Sequence, residues 1–239
     1  MSPKPDPGDT RHFVVIGAGG TGCALLPLLP ALSPTRITLV DGDTVEATNL
    51  PRQPLYGHAD IGRLKVDTAA ARLRVLHPQL VLGTVPAFMD ANNAEALLRD
   101  ADMVFDCTDD LHVRRLMDHA CERTGTPLIS AAVHGHQVQV VTLHTENANG
   151  RRVTLRDLYP RRTTSTQDGC DMRDVPPSVT TLAACLMYEQ AAALLSGDRS
   201  RAGTLELIDM RTGSWWRIQP PVIDRSLEDW AQRTVTTGA

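Results

Sequence analysis

Two hydrophobic periods take turns along the first 133 residues. Unbroken apolar runs (RHFVVIGA, RITLVD, LVLGTVPA, ADMVFDCTD and PLISAAV) read as strands buried on both faces. Segments of helical period separate them. TGCALLPLLPALS predicts a helix that Pro27 and Pro30 kink or shorten. HADIGRLKVDTAAARLRVLH predicts a helix with Ala69, Leu73 and Leu76 at core spacing. DANNAEALLRD predicts a short helix capped by Asp90, and LHVRRLMDHACERTG one ended by Gly125. This βαβα rhythm implies a doubly wound parallel sheet with helices on both faces. HQVQVVTLH then alternates, as an antiparallel strand with one wetter face does. Residues 42–57 read as irregular, and residues 145–178, with no period, as a long mobile crossover loop. SVTTLAACLMYEQAAALLSG predicts a helix stopped by Gly197. TLELIDM and SWWRIQPP predict a hairpin around Thr212 and Gly213. The boundaries expected are a flexible tail over 1–10, one domain over 11–222, and a helix or tail over 223–239.

Composition narrows the class. A chain of 239 residues with 42% hydrophobic and 22% charged residues can bury one sizeable core. A net charge of −4 argues against nucleic acid as a partner. No apolar run reads as long enough to cross a bilayer, so no membrane contact is expected. The opening MSPKPDPGDT lacks the apolar core of a secretory signal, and the cytoplasm follows as the expected location. The five cysteines form no C-x-x-C pair, which argues against a disulfide framework and a tetrathiolate zinc site. Cys23, Cys107, Cys121 and Cys185 sit in apolar or helical contexts, as small buried hydrophobes do. Cys170 lies apart, in the irregular TTSTQDGCDMRDVPPS.

Candidate chemistry gathers at carboxyl ends of the predicted strands, where open α/β sheets bind ligands. The turn Gly17-Ala18-Gly19-Gly20-Thr21-Gly22 between strand and helix lets backbone N–H groups approach phosphates. Asp41, ending the second strand, is placed to accept from ribose hydroxyls. These two features suit a dinucleotide oxidoreductase as well as an ATP enzyme. The remaining residues separate the two. Asn49-Leu50-Pro51-Arg52-Gln53 sets a charged fork and two amides on one short loop. Lys65 opens a helix, and Asp109 with Asp110 ends the fourth strand. Singly, Lys65 reads as a solvated helix lysine, Arg52 as a surface ion pair and Asp109 as a helix N-cap. Jointly they supply two cations for a triphosphate and a carboxylate for Mg²⁺, a set that hydride transfer does not need.

GAGGTG, LVDGDTVEATNLPRQ, ADIGRLK, DCTDD, PLISAAV and LIDMRTGSW together resemble the ThiF/MoeB/HesA superfamily, the adenylating core of ubiquitin-activating enzymes. The resemblance spans about residues 12–219, and the D-x-D-x-V-x-x-x-N-x-x-R-Q pattern with G-x-x-K is its specific part. It implies a Rossmann-like α/β fold, mostly parallel, with antiparallel strands at the C-terminal side. It implies ATP-dependent adenylation of the C-terminal carboxylate of a small ubiquitin-like or sulfur-carrier protein. In residue terms, Gly17, Gly19, Gly20 and Gly22 line the nucleotide. Asp41 takes the ribose and Asp43 belongs to the same set. Asn49, Arg52 and Lys65 meet the phosphates with Gln53 in support, and Asp109 holds Mg²⁺. Cys170 is the thiol that could take the acyl group, with Arg161, Arg162 and Arg173 favouring its thiolate and Asp168, Asp171 and Asp174 opposing it. A non-catalytic loop cysteine is the other reading. A homodimer and a conjugating enzyme are further partners on the same ground.

The chain also departs from the family pattern. Many members carry two C-x-x-C pairs; their lack here implies a zinc-free member. Asp110 stands where many have Asn, either joining the metal shell or weakening ATP binding. Arg11 is the candidate for an arginine offered to a partner subunit's nucleotide. His134 and His136, flanking Gly135 beside the expected tail channel, read as structural or solvated. Adenylation of a peptide or tRNA base, a non-catalytic ATP-binding scaffold and a nicotinamide oxidoreductase are the alternatives.

Overall fold

A computed structural model describes residues 10–159 and 174–221. Among them, eight strands form one sheet: β1 (His12–Ile16), β2 (Arg36–Val40), β3 (Val81–Val85), β4 (Met103–Asp106), β5 (Leu128–His134), β6 (Gln137–Leu143), β7 (Leu205–Asp209) and β8 (Ser214–Ile218). Their spatial order is β3-β2-β1-β4-β5-β6-β7-β8. The first five run parallel, and β6, β7 and β8 each pair antiparallel with the strand before. The chain winds from β1 to β3 one way and then restarts at β4 on the other side of β1. That reversal opens a crevice above the carboxyl ends of β1 and β4.

Alternate residues of each central strand feed two cores. Phe13, Val15, Ile37, Leu39 and Phe105 pack with α1 (Gly20–Leu25), α2 (Lys65–Leu76) and α6 (Pro177–Leu195). Val14, Ile16, Val40, Val104 and Leu128 pack on the other face with α3 (Ala94–Leu98) and α4 (Leu111–Thr124). Burial on both faces explains why these strands read as solid apolar runs. The mostly parallel α/β architecture with a C-terminal antiparallel edge is the one expected.

Several local expectations change. The helix predicted from His58 starts at Lys65, and His58–Asp60 is a separate 3-10 turn. Gly62, at φ +85°, breaks the run. The flanking backbone instead zips onto the preceding loop, Val45 N–H to Arg63 O at 2.8 Å and Gly62 N–H to Val45 O at 2.9 Å. Leu76 is 65% exposed, because the buried stripe of α2 ends a turn earlier at Leu73. Asp90 accepts from the N–H groups of Asn92 and Asn93, capping the turn before α3 rather than α3 itself. Cys23 and Cys121 are buried and Cys107 partly so, but Cys185 faces solvent from the outer side of α6.

The expectation about apolar runs also fails for α6, which is long and apolar enough to cross a membrane by length and composition. Its Val179, Ala183, Ala184, Met187 and Ala191 are fully buried on the sheet, so core packing accounts for that composition. Within the predicted loop, α5 (Leu155–Leu158) forms behind a capping box of Thr154 and Asp157. Asp118 of α4 accepts there from Leu155 N–H at 2.9 Å and pairs with His144 at 2.8 Å. Residues 160–173 of that loop, including Arg161, Arg162, Asp168, Cys170, Asp171 and Arg173, lie outside the described residues, as do 1–9 of the predicted tail and 222–239.

Candidate functional site

The glycine turn is built by close approach. Gly17 has φ +95°, and a Cβ there would stand 2.8 Å from the Cys107 carbonyl oxygen. A Cβ on Gly22 would meet the Gly17 oxygen at 2.1 Å. Only glycine lets the turn lie flat against the loop that leaves β4. Gly19 caps α1 without a side-chain hydrogen bond, so the first-turn N–H groups remain for a ligand. α1 is six residues long and contributes little macrodipole, so an anion here depends on these N–H groups and on nearby cations.

A chain of hydrogen bonds leads from the turn to those cations. Ala18 N–H donates to Asp41 Oδ2 at 2.7 Å, and Asp43 N–H donates to Asp41 Oδ1 at 2.8 Å. The carboxylate is pinned on both oxygens, yet each keeps a lone pair for a hydroxyl donor. Lys65 Nζ then donates to Asp43 Oδ2 at 2.7 Å. The lysine side chain is buried while Asp43 is half-exposed, so the ammonium is held at the crevice lip. The zipped loop sets this pairing, with Lys65 N–H also bound to Asp43 O at 3.0 Å. An ammonium has three donors, so two more N–H bonds remain available to phosphate oxygens.

The 3-10 turn Ala47–Arg52 carries the remaining loop residues. Its end lies on the start of α1: a Cβ on Gly20 would stand 3.4 Å from Arg52 O. Arg52 Nη1 donates to Thr48 O at 3.0 Å, and Asn49 Nδ2 reaches Thr48 Oγ1 at 3.5 Å. Gln53 is 3% exposed, and its Oε1 has no partner among the described residues. Its Nε2 lies 3.9 Å from where a Cβ on Gly19 would be. A buried acceptor without a donor, beside an uncapped turn, suits a site that a ligand completes.

Asp109 is exposed on the loop after β4 and bonds to no described residue. Asp110, not Asp109, caps α4, accepting from His112 N–H at 2.7 Å and Val113 N–H at 3.2 Å. Among the described residues, that leaves Asp109 as the loop carboxylate without a partner. Among the described residues no group of three or more His, Cys, Asp and Glu could hold a metal. A single hard oxygen donor is still what Mg²⁺ takes when phosphates and water fill its other positions, so Asp109 fits that ion.

Sequence reasoning missed the residues that fix this loop. Asp106, fully buried at the end of β4, accepts from Arg114 Nε at 2.6 Å, Ser130 Oγ at 2.6 Å and Thr108 Oγ1 at 2.7 Å. Arg114 Nη2 also donates to Thr108 O and Ala131 O, both at 2.8 Å. β4, β5 and α4 thus clamp the Cys107–Asp110 loop from below. The signal was present in MVFD, an apolar strand ending on a charge, with an arginine four residues after the cap. His134 and His136 bound the tight turn joining β5 to β6, with Gly135 at φ +54°. Arg11 lies at the opposite, amino end of β1 and donates to Leu32 O at 3.3 Å.

Comparison with known proteins bears on this geometry. The chain is 34% identical over 211 residues to the adenylyltransferase and sulfurtransferase MOCS3 of Sus scrofa, covering 88% of this chain and 46% of that protein. It thus spans about half the length of the mammalian relatives it matches. It is 31% identical over 208 residues to the sulfur carrier protein adenylyltransferase of Thermus thermophilus, covering 86% and 77% of the two. The crystal structure of E. coli MccB with ATP superposes with a TM-score of 0.70 at 18% identity, covering 90% of this chain and 66% of that one, which shows a shared fold. Residues 9–225 match the ThiF family. With a family match across nearly the whole length and the glycine turn, Asp41 and Lys65 joined in one crevice, the chain belongs to the ThiF family.

Proposed function

We propose that this chain uses ATP to adenylate the C-terminal carboxylate of a small ubiquitin-like or sulfur-carrier protein. The observation that carries the reading is the hydrogen-bonded run from the uncapped glycine turn through Asp41 and Asp43 to the Lys65 ammonium. Relatives named for sulfur-carrier and SAMP activation support the substrate class.

The chemistry needs no general base, because the attacking carboxylate is already ionised. One of its oxygens bonds to the α-phosphorus of ATP while the bond from that phosphorus to the bridging oxygen breaks, and pyrophosphate leaves. Asp41 holds the ribose hydroxyls. The first-turn N–H groups, Lys65 and Arg52 position and neutralise the phosphates, with Asn49 and Gln53 beside them. Bound to Asp109, Mg²⁺ would supply further neutralising charge on the phosphate oxygens. The Asp106 network keeps Asp109 in place. The product is a mixed anhydride that a thiolate can attack with AMP as leaving group, and Cys170 is the thiol we assign to that step. A homodimer and a downstream conjugating enzyme belong to the same reading, on the strength of family membership.

ATP–pyrophosphate exchange is the test. Exchange that depends on a small protein ending in Gly or Gly-Gly supports the proposal. Exchange driven instead by a peptide or a tRNA moves the substrate class, and ATP binding without exchange under any carboxylate makes the chain a scaffold.

A further inference from the structure

Ala18, inside the glycine turn, is tied at both of its backbone polar groups. Its N–H donates to Asp41 Oδ2 at 2.7 Å. Its carbonyl oxygen accepts from Tyr56 Oη at 2.9 Å and from Cys23 Sγ at 3.4 Å. Both donor residues are buried and belong to the core beneath the turn. A thiol is a weak donor, so the phenol supplies most of this hold. Burial raises the Tyr56 pKa well above its ordinary value, so the hydroxyl keeps the proton it donates.

The carbonyl and the next N–H belong to one rigid unit. A trans peptide, as the Ala18–Gly19 peptide is, is planar and points its C=O and N–H in opposite directions. Drawing Ala18 O down into the core therefore turns Gly19 N–H up and away from it. Gly19 N–H has no partner among the described residues. Gly19 is only partly buried, and a Cβ there would meet nothing closer than Gln53 Nε2, at 3.9 Å. Tyr56 is itself anchored to the loop that carries Arg52 and Gln53, its N–H donating to Gln53 O at 3.0 Å. One side chain thus sets the glycine turn against the neighbouring loop.

We propose that Tyr56 is a positioning residue for phosphate binding, its hydroxyl aiming Gly19 N–H into the crevice by way of the Ala18 carbonyl. This rests on the reading of the glycine turn as the phosphate site. Tyr56 touches no ligand in this scheme. A phenylalanine would fill the same space in the core and leave the carbonyl to the thiol alone.

The test pairs ATP with adenosine in calorimetry on the full chain and on Tyr56→Phe, which keeps the ring and removes the donor. The variant should bind ATP about 3- to 10-fold more weakly, the range of one impaired hydrogen bond, and adenosine within about twofold of wild type. ATP affinity within about twofold of wild type, or an equal loss for ATP and adenosine, overturns the assignment, because a purely structural hydroxyl has no reason to single out the phosphates. A second measurement needs no variant. In the wild type, ATP should shift the Gly19 amide resonance more than that of Gly17, whose N–H already donates to Val40 O at 2.9 Å. A Gly19 amide that ATP leaves in place also overturns the assignment. Wild-type protein that binds neither ATP nor adenosine overturns the nucleotide reading itself, a result distinct from these.

Discussion

Arg114→Ala tests whether the loop carrying Asp109 hangs on a buried ion pair. In the native fold Asp106 has no exposed surface and its carboxylate faces the Arg114 guanidinium at 2.6 Å. Removing Arg114 leaves Asp106 with neutral donors only, from Ser130 and Thr108. It also strips one donor each from the carbonyls of Thr108 and Ala131. Breaking one side of a buried pair costs about 3–5 kcal/mol. That is a large part of the roughly 5–15 kcal/mol that holds a domain folded. Urea unfolding followed by circular dichroism should therefore show a midpoint lower by about 1 to 1.7 M at an unchanged slope near 3 kcal/mol/M. The double variant Asp106→Leu with Arg114→Met removes both charges and should lose less than Arg114→Ala alone. A loss below about 1 kcal/mol for Arg114→Ala, or a double variant that loses the sum of the two single changes, would refute the argument.

The other predictions concern the site, the pH response and the thiols. Arg52→Ala and Asp109→Ala should each lower ATP–pyrophosphate exchange by at least about 100-fold, whereas Cys170→Ala should spare exchange and block thioester formation; transfer intact in Cys170→Ala removes that cysteine as acceptor. Burial lowers the His12 pKa below the ordinary 6.5, against a smaller upward pull from the Asp100 carbonyl. The folded chain therefore binds fewer protons there than the unfolded one, and the His12 contribution, full above 6.5, drains as pH falls below it. Replacing His12 with Gln should flatten the stability slope between about pH 7 and pH 5, and an unchanged slope counts against it. Burial pushes the Cys23 and Cys121 thiols up to about 12 and Cys107 well above its usual value. Iodoacetamide on the native protein, mapped by mass spectrometry, should therefore modify exposed Cys185 and leave those three untouched until urea is added.

The order of elements, the parallel sheet and the glycine turn were legible in the amino-acid sequence alone. Strand burial on both faces writes itself as unbroken apolar runs, and close backbone approach writes itself as Gly17 and Gly22. Asp41 and Lys65 were legible too, because a strand end and a helix start fix where they stand. What tertiary structure decided were the pairings across the chain. Lys65 meets Asp43 only because two loops zip together, and Asp110 takes the helix cap, which leaves Asp109 without a partner among the described residues. The Asp106 clamp joins residues up to 24 apart in the chain. Local periodicity carries burial and backbone shape. It carries no information on which polar groups meet once the sheet brings distant segments side by side, and those meetings make the site.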